Sequence, residues 1–200
     1  MDFRRAINYS AILWALWWAY WVISARYRVR DTSESSVQRE SLAGRLSYSL
    51  LTWIGAALMF WPRPVAHLQQ SLWPVTTATL VAGLSLQVLG LGFTIWARLV
   101  LGKNWSGRIA TGGNQRLIID GPYRLVRHPI YTGLLAAFFG LALIVDSTRG
   151  IVGFFFVTAG FLLKIRREEA SVRRHFGSAY EDYARRVPAL LPKWPSTNSD

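Results

Sequence analysis

GPYRLVRHPIYTG, residues 121–133, is basic and aperiodic, and it runs without a break into an apolar segment ending at Val145. A Gly-Pro start, a second proline at Pro129, and Arg124, Arg127 and His128 between them make a poor helix interior and a poor strand. Pro129 biases His128 away from helical backbone angles. Such a segment against an apolar run reads as the edge of a membrane span with a role besides crossing. Tyr123, His128 and Tyr131 can face one ligand and offer it stacking and hydrogen bonds. The plainer alternative is a basic cluster that anchors the span to anionic headgroups. It accounts for Arg124 and Arg127, but not for Gly121-Pro122-Tyr123 or for His128-Pro129 followed at once by Tyr131.

The rest of the 200 residues fits a single membrane domain. The chain is 52% hydrophobic, has ten tryptophans and a net charge of +12, and lacks cysteine. Disulfides, thiolate chemistry and cysteine-metal sites are excluded. His67, His128 and His175 show no metal-ligand spacing, so no metal is expected. A soluble basic chain of this size could bind nucleic acid. Here the apolar residues lie in long runs with the charges between them, which points to an integral membrane protein and to no nucleic-acid partner.

Ile7–Ser24 carries no charge and contains Trp14, Trp17, Trp18 and Trp21. Its basic lead resembles a signal peptide, but the bulky tryptophans and the lack of a small-residue cleavage site favour a retained helix. Arg26–Glu40 reads as a solvated loop or short surface helix. A second span starts near Leu42, with its core at Leu46–Trp61, and is stopped by WPRP, Trp61–Pro64. Pro74–Leu101 is a third span. At ~1.5 Å per residue it reaches roughly 42 Å, longer than a ~30 Å hydrocarbon core, so it must tilt or project. Arg98 near its end is expected to snorkel, and Gln87 to make a helix–helix hydrogen bond.

After a polar connection, Gly102–Asp120, come two short apolar runs, Ile130–Val145 and Ile151–Leu163, joined by DSTRG. Small residues recur on one face of each: Gly133, Ala136 or Ala137 and Gly140, then Gly153 and Gly160. Such spacing permits close helix approach and predicts a tight hairpin. From Lys164 the chain is charged and helix-forming, with Val172, Phe176, Tyr180 and Tyr183 on one stripe and an interruption at Gly177. VPALLPKWP reads as a proline-punctuated ending, and STNSD as frayed. Glu168-Glu169 read most simply as surface helix charges, with Lys164–Glu168 an ordinary i,i+4 pair. Their position beside a basic cluster at the membrane boundary admits another reading. Glu168 can accept hydrogen bonds from a polar cofactor, and Lys164 can hold an anion.

The fold expected is therefore all-α: an integral membrane protein with about five transmembrane helices, the last two a short hairpin, plus a cytoplasmic C-terminal helix. Lys and Arg number five in Arg26–Arg45, five in Lys103–Arg127 and eight from Lys164 onward, eighteen on one side against four on the other. This positive-inside bias puts the N-terminus outside and the C-terminus in the cytoplasm. The segment at residues 121–133 and the C-terminal helix then share the cytoplasmic face.

Taken in order, GKNWSG, RLIIDGPYRLVRHPIYTG and KIRREEASVRRHFGSAYEDYARRVPALLP resemble the C-terminal half of the isoprenylcysteine carboxyl methyltransferase family and its bacterial and archaeal relatives. The resemblance covers about Gly102–Pro192. It implies a membrane methyltransferase using S-adenosyl-L-methionine, with S-adenosyl-L-homocysteine as product, in the inner membrane of a prokaryote. Residues 1–101 would be three N-terminal spans and 102–195 the cofactor-binding and catalytic half of one domain, 1–200. By position, Gln115, Arg116, Leu117, Ile118, Tyr123, His128, Pro129, Ile130 and Tyr131 would line the cofactor pocket, closed by Glu168. Lys164 stands where eukaryotic members carry a substrate-facing arginine, keeping the charge but losing the bidentate fork. Gln115 replaces their usual histidine.

The implied acceptor is lipophilic, a prenylated or other small molecule reached among membrane lipids, with an isoprenylcysteine-like carboxylate first. A carboxylate is already ionised at neutral pH and needs no general base. An amine or thiol acceptor must lose a proton, with Glu168 or His128 as candidate base. Phospholipid N-methylation and thiol S-methylation are thus alternatives. So are an NADPH-dependent sterol-type reductase, disfavoured by the short chain, and a non-catalytic lipid-binding protein.

Overall fold

The computed structural model describes residues 2–25, 41–61, 68–102 and 117–193. Arg26–Glu40, Pro62–Pro64, most of the Gly102–Asp120 connection with Gln115 and Arg116, and the STNSD ending lie outside the described residues. The described residues form six α-helices and a 3-10 turn, with no strand among them. In order these are α1 (Phe3–Ala25), α2 (Leu42–Phe60), α3 (Thr77–Leu101), the 3-10 turn Gly121–Arg124, α4 (Pro129–Val145), α5 (Thr148–Phe176) and α6 (Ser178–Arg186). The all-α membrane fold is as expected. Three helices, α1, α3 and α5, are long and apolar enough to cross a membrane, and the 17-residue α4 is apolar but shorter.

Local chemistry sets the helix ends. Ser41 Oγ accepts the Gly44 N–H to start α2. Thr76 and Thr79 form a reciprocal capping box at α3. Pro129 occupies the first turn of α4, where its missing N–H costs nothing. Asp146 ends α4 in the left-handed region, φ 42°. Its carboxylate repays that conformation by accepting from Leu72 N, Trp73 N and Ser71 Oγ, tying the α2–α3 connection to the hairpin bend. Arg149, the second residue of α5, donates to the Leu58, Met59 and Trp61 carbonyls and caps the end of α2.

The small residues make close contacts, but with other helices than expected. Gly133 and Gly140 of α4 face Gly90 and Gly83 of α3, and a Cβ built on Gly83 would lie 2.7 Å from the Gly140 carbonyl oxygen. Gly153 of α5 faces Gly55 and Met59 of α2, and Gly160 faces Tyr48 and Thr52. The hairpin is present, yet each arm packs its glycine face on an earlier helix, α4 on α3 and α5 on α2. The pairings run antiparallel: Gly83 with Gly140 and Gly90 with Gly133, then Gly55 with Gly153 and Tyr48 with Gly160.

α1 lies parallel to α3, bonded through Ser10 to Gln87 (2.7 Å) and Trp17 to Thr94 (2.7 Å). Gln87 thus makes the expected interhelical bond. Arg98 does not snorkel: it is 5% exposed and donates to the Gly102 and Ser24 carbonyls. The unsatisfied carbonyls at the ends of α3 and α1 offer a better environment for its guanidinium than lipid-facing surface. A column of rings fills the middle, with Trp14 against Phe60 and Phe138, Phe138 against Phe161, and Phe161 against Tyr131.

The apolar run Ile151–Leu163 and the charged segment after it form one 29-residue helix, α5. The run is short only if the helix is taken to stop at the first charge. Gly177, φ 54°, then turns the chain into α6, the interruption expected from its freedom at positive φ.

Candidate active site

Gly121, φ 57°, opens the 3-10 turn, and a Cβ there would meet Val100 of α3 at 3.0 Å. The turn buries Pro122 and Tyr123, and the Tyr123 carbonyl accepts the Tyr183 hydroxyl at 2.6 Å. Burial pushes the Tyr123 phenol up, with Tyr183 and Glu168 adding to the effect and Arg98 opposing it. His128 precedes Pro129 with φ −123° and ψ 61°, outside the helical region as expected. Because Arg127 and His128 lie outside the helix, their backbone N–H groups are free to bond elsewhere. They donate to the Pro188 and Ala189 carbonyls at 2.8 and 3.0 Å, and Thr132 Oγ1 donates to the Leu190 carbonyl at 2.8 Å. The proline-punctuated ending is therefore a strap across the start of α4.

α5 supplies the opposing wall. The Tyr131 hydroxyl donates to Glu168 Oε1 at 2.5 Å, and His128 Nδ1 lies 3.8 Å from Glu168 Oε2. One residue on, Glu169 Oε1 accepts from Arg127 Nε (2.9 Å) and Nη2 (2.6 Å), with His128 Nε2 at 3.2 Å. Arg127 also donates to the Ala184 and Val187 carbonyls. Burial opposes ionisation of Glu169, but hydrogen bonds from His128 and Arg127 and the Arg127 charge outweigh it, holding the carboxyl down at about 2. Burial likewise works against the Arg127 charge, yet Glu169 pushes its pKa up. Lys164 Nζ is 3.9 Å from Glu168 Oε1, one turn away on the same helix. Its ammonium stands 5.5 Å from the Tyr131 ring centre and 5.6 Å from that of Tyr48 on α2.

Of the residues expected at the site, His128, Tyr131, Lys164 and Glu168 come together in one cluster. Tyr123 sits in the adjoining turn. Pro129 is buried at the start of α4, and Ile130 packs into the apolar core. Leu117 and Ile118 are partly buried on the approach to the turn, and Gln115 and Arg116 lie outside the described residues. Sequence reasoning missed Arg127, Glu169, Tyr48 and the Pro188–Leu190 strap. An Arg-His pair and a Glu-Glu pair are complementary in sequence, a signal that could have found the first two. Tyr48 carries no signal in its own span.

The two carboxylates have different capacities. Glu169, with a side chain 12% exposed, spends its Oε1 on three protein donors. Glu168, 24% exposed, takes one hydrogen bond on Oε1, and its Oε2 faces His128 beyond hydrogen-bond distance. The cluster therefore holds acceptor capacity at Glu168, a ring nitrogen at His128 and a cation at Lys164, over an apolar floor of Phe161 and Phe138.

The phospholipid methyltransferase family model matches residues 78–179, just over half of the chain. A probable protein-S-isoprenylcysteine O-methyltransferase of Oryza sativa is 34% identical over 113 residues, covering 55% of this chain and 59% of the relative. Methanethiol S-methyltransferase 2 of Bradyrhizobium diazoefficiens is 39% identical over 72 residues, 36% of this chain and 27% of the relative. Among solved structures, a eukaryotic intramembrane Ras methyltransferase, isoprenylcysteine carboxyl methyltransferase, shares the fold. The TM-score is 0.56 at 19% identity, covering 92% of this chain and 65% of that one. The chain spans about three fifths of the length of the rice relative it matches.

Proposed function

The chain belongs to the phospholipid methyltransferase family, and from that premise we propose that it is a membrane-embedded, S-adenosyl-L-methionine-dependent methyltransferase. Its acceptor is lipophilic and anionic, an isoprenylcysteine-like carboxylate. The observation that carries this reading is the meeting of His128 and Tyr131 with Glu168 and Lys164, two wall pieces far apart along the chain. The donor set fits the methyl donor. Glu168 Oε2 and His128 Nδ1 can take the N–H or O–H groups of its amino-acid and ribose parts, and the rings of Tyr123 and Tyr131 border the polar end. When bound, the donor supplies an activated sulfonium methyl group.

The chain's own residues do the rest. Tyr131 holds the Glu168 carboxylate in one orientation through its short hydrogen bond. Glu169, itself held by Arg127, holds the His128 ring from the other side. The Lys164 ammonium orients the acceptor carboxylate, which needs no base. The ring column below excludes water and accepts the apolar tail, which reaches the site sideways between helices. Residues 102–195 act as the cofactor-binding half, with α2 adding Tyr48. The antiparallel helix pairings fit alternating spans, and the bias of Lys and Arg puts the site at the cytoplasmic face of a prokaryotic inner membrane, the N-terminus outside.

A thiol acceptor is the second reading, favoured by the 39% identity to the methanethiol enzyme. It requires proton removal, for which His128 between two carboxylates is suited. Detergent-solubilised protein titrated with S-adenosylhomocysteine tests the proposal. Binding is expected in the wild type and lost in Glu168→Ala and His128→Ala folded to the same extent. Unchanged affinity in both variants rejects the assignment, and absence of binding in the wild type leaves a lipid-binding protein. A methyl-labelled donor offered with prenyl-cysteines, phospholipids and thiols identifies the acceptor.

A further inference from the structure

We propose that Tyr48 is a positioning residue that fixes the Lys164 ammonium and so sets the preference for an anionic acceptor. The inference rests on the methyltransferase reading above and deepens it. Tyr48 lies outside the residues the family model matches, in a mostly apolar helix that carries no motif of its own.

The geometry is specific. Tyr48 is 5% exposed, and its carbonyl oxygen would stand 2.9 Å from a Cβ placed on Gly160. Close backbone approach between α2 and α5 therefore fixes where the ring stands. The Lys164 Nζ lies 5.6 Å from the Tyr48 ring centre and 5.5 Å from that of Tyr131, so one ring comes from α2 and the other from α4. Arg167, three residues on along the same helix face, places its guanidinium carbon 5.7 Å from the Tyr48 ring. Tyr48 thus attracts two cations of α5.

A lysine side chain has four rotatable bonds and holds a point charge loosely, unlike an arginine fork. Two ring faces with a carboxylate 3.9 Å away confine that charge. Confinement has a consequence for specificity. The aromatic space between α2 and α4 is occupied by the protein's own ammonium, so a cationic amine acceptor is repelled from it. An anionic acceptor gains a positioned counter-charge. Removing the Tyr48 ring leaves Lys164 in the chain but releases it from its place.

The test uses the full-length protein in detergent, saturated with S-adenosylhomocysteine. Two probes are compared: a farnesylated N-acetylcysteine with a free carboxylate, and the same molecule as its neutral primary amide. The wild type is expected to bind the carboxylate about tenfold more tightly, the scale of a desolvated cation–π arrangement that holds its cation. Tyr48→Leu should reduce this ratio to below about threefold while S-adenosylhomocysteine affinity holds. Tyr48→Phe, which keeps the ring, should restore the ratio. If Tyr48→Leu does not fold, Tyr48→Met fills a similar volume without a ring and decides the question. A ratio that persists in the leucine or methionine variant, or that is lost equally in the phenylalanine variant, overturns the role of the ring. Failure of the wild type to bind S-adenosylhomocysteine overturns the functional reading instead. Binding of the cofactor product with no carboxylate preference in the wild type overturns this inference alone.

Discussion

Glu168 and Glu169 are neighbours with divided labour, and substitution should separate them. Glu168→Gln keeps the Tyr131 contact but loses the charge. Affinity for S-adenosylhomocysteine is expected to fall at least tenfold, read by calorimetry, with the unfolding temperature little changed. Glu169→Gln instead leaves Arg127 and His128 without their carboxylate. A stability loss of about 1–3 kcal/mol is expected, allowing for partial solvent screening, and thermal unfolding measures it. The same residue predicts an acid limit. Its folded pKa of about 2 lies below the ordinary 4.5. The stabilisation is therefore fully present above about 4.5 and is lost as pH falls toward 2. Unfolding temperature recorded from pH 5 downward should drop in the wild type and drop less in Glu169→Gln. At this scale the sequence was partly legible. The non-helical His128 follows from Pro129 alone, and Glu168 was placed by motif order. Glu169 was not, because an acid on a charged helix looks like solvated surface until the arginine it faces is known. That arginine lies forty-two residues away.

At the scale of elements, the glycines make a sharp contrast inside one helix. Gly90 and Gly92 both belong to α3. A Cβ on Gly90 would lie 2.8 Å from the Ala137 amide nitrogen and against the Gly133 carbonyl, whereas a Cβ on Gly92 meets nothing within 4 Å. Gly90→Ala should push α3 from α4 and lower the unfolding temperature by several degrees. Gly92→Ala should leave it unchanged or raise it slightly, since alanine is the better helix former by about 1 kcal/mol. The small-residue stripes and the apolar helical runs were readable from spacing. The partner of each stripe was not. Spacing shows that a face permits close approach, but which helix approaches depends on contacts distant in sequence. Arg98 teaches the same lesson: its depth in the span suggested a route to water, yet the carbonyls that receive it belong to two helix ends, one of them on α1.

For the molecule as a whole, the lack of cysteine makes sidedness directly measurable. In sealed membrane vesicles with the cytoplasmic face outward, Ser178→Cys at the start of α6 is expected to react with an impermeant maleimide. Ser71→Cys, on the connection held by Asp146, is expected to be protected until the vesicles are opened. The reverse pattern would invert the charge-based orientation. Membrane character and the all-helical class were plain from composition and run lengths. The assembly of the site from four separate regions, α2, the start of α4 with the turn before it, α5 and the strap, was only half visible, because two of those regions carry no chemistry that reads as such along the chain.

The pairing of Arg127 and His128 with Pro188 and Ala189 also fixes an order of events during biosynthesis. The ribosome delivers the histidine long before the carbonyls that hold its backbone. Every membrane-inserted helix must therefore be made before the pocket can close, and a nascent chain carrying all of them still has no finished pocket. Translation arrested short of Pro188 should give a protein whose helices insert but whose Arg127 and His128 backbone amides lack their partners.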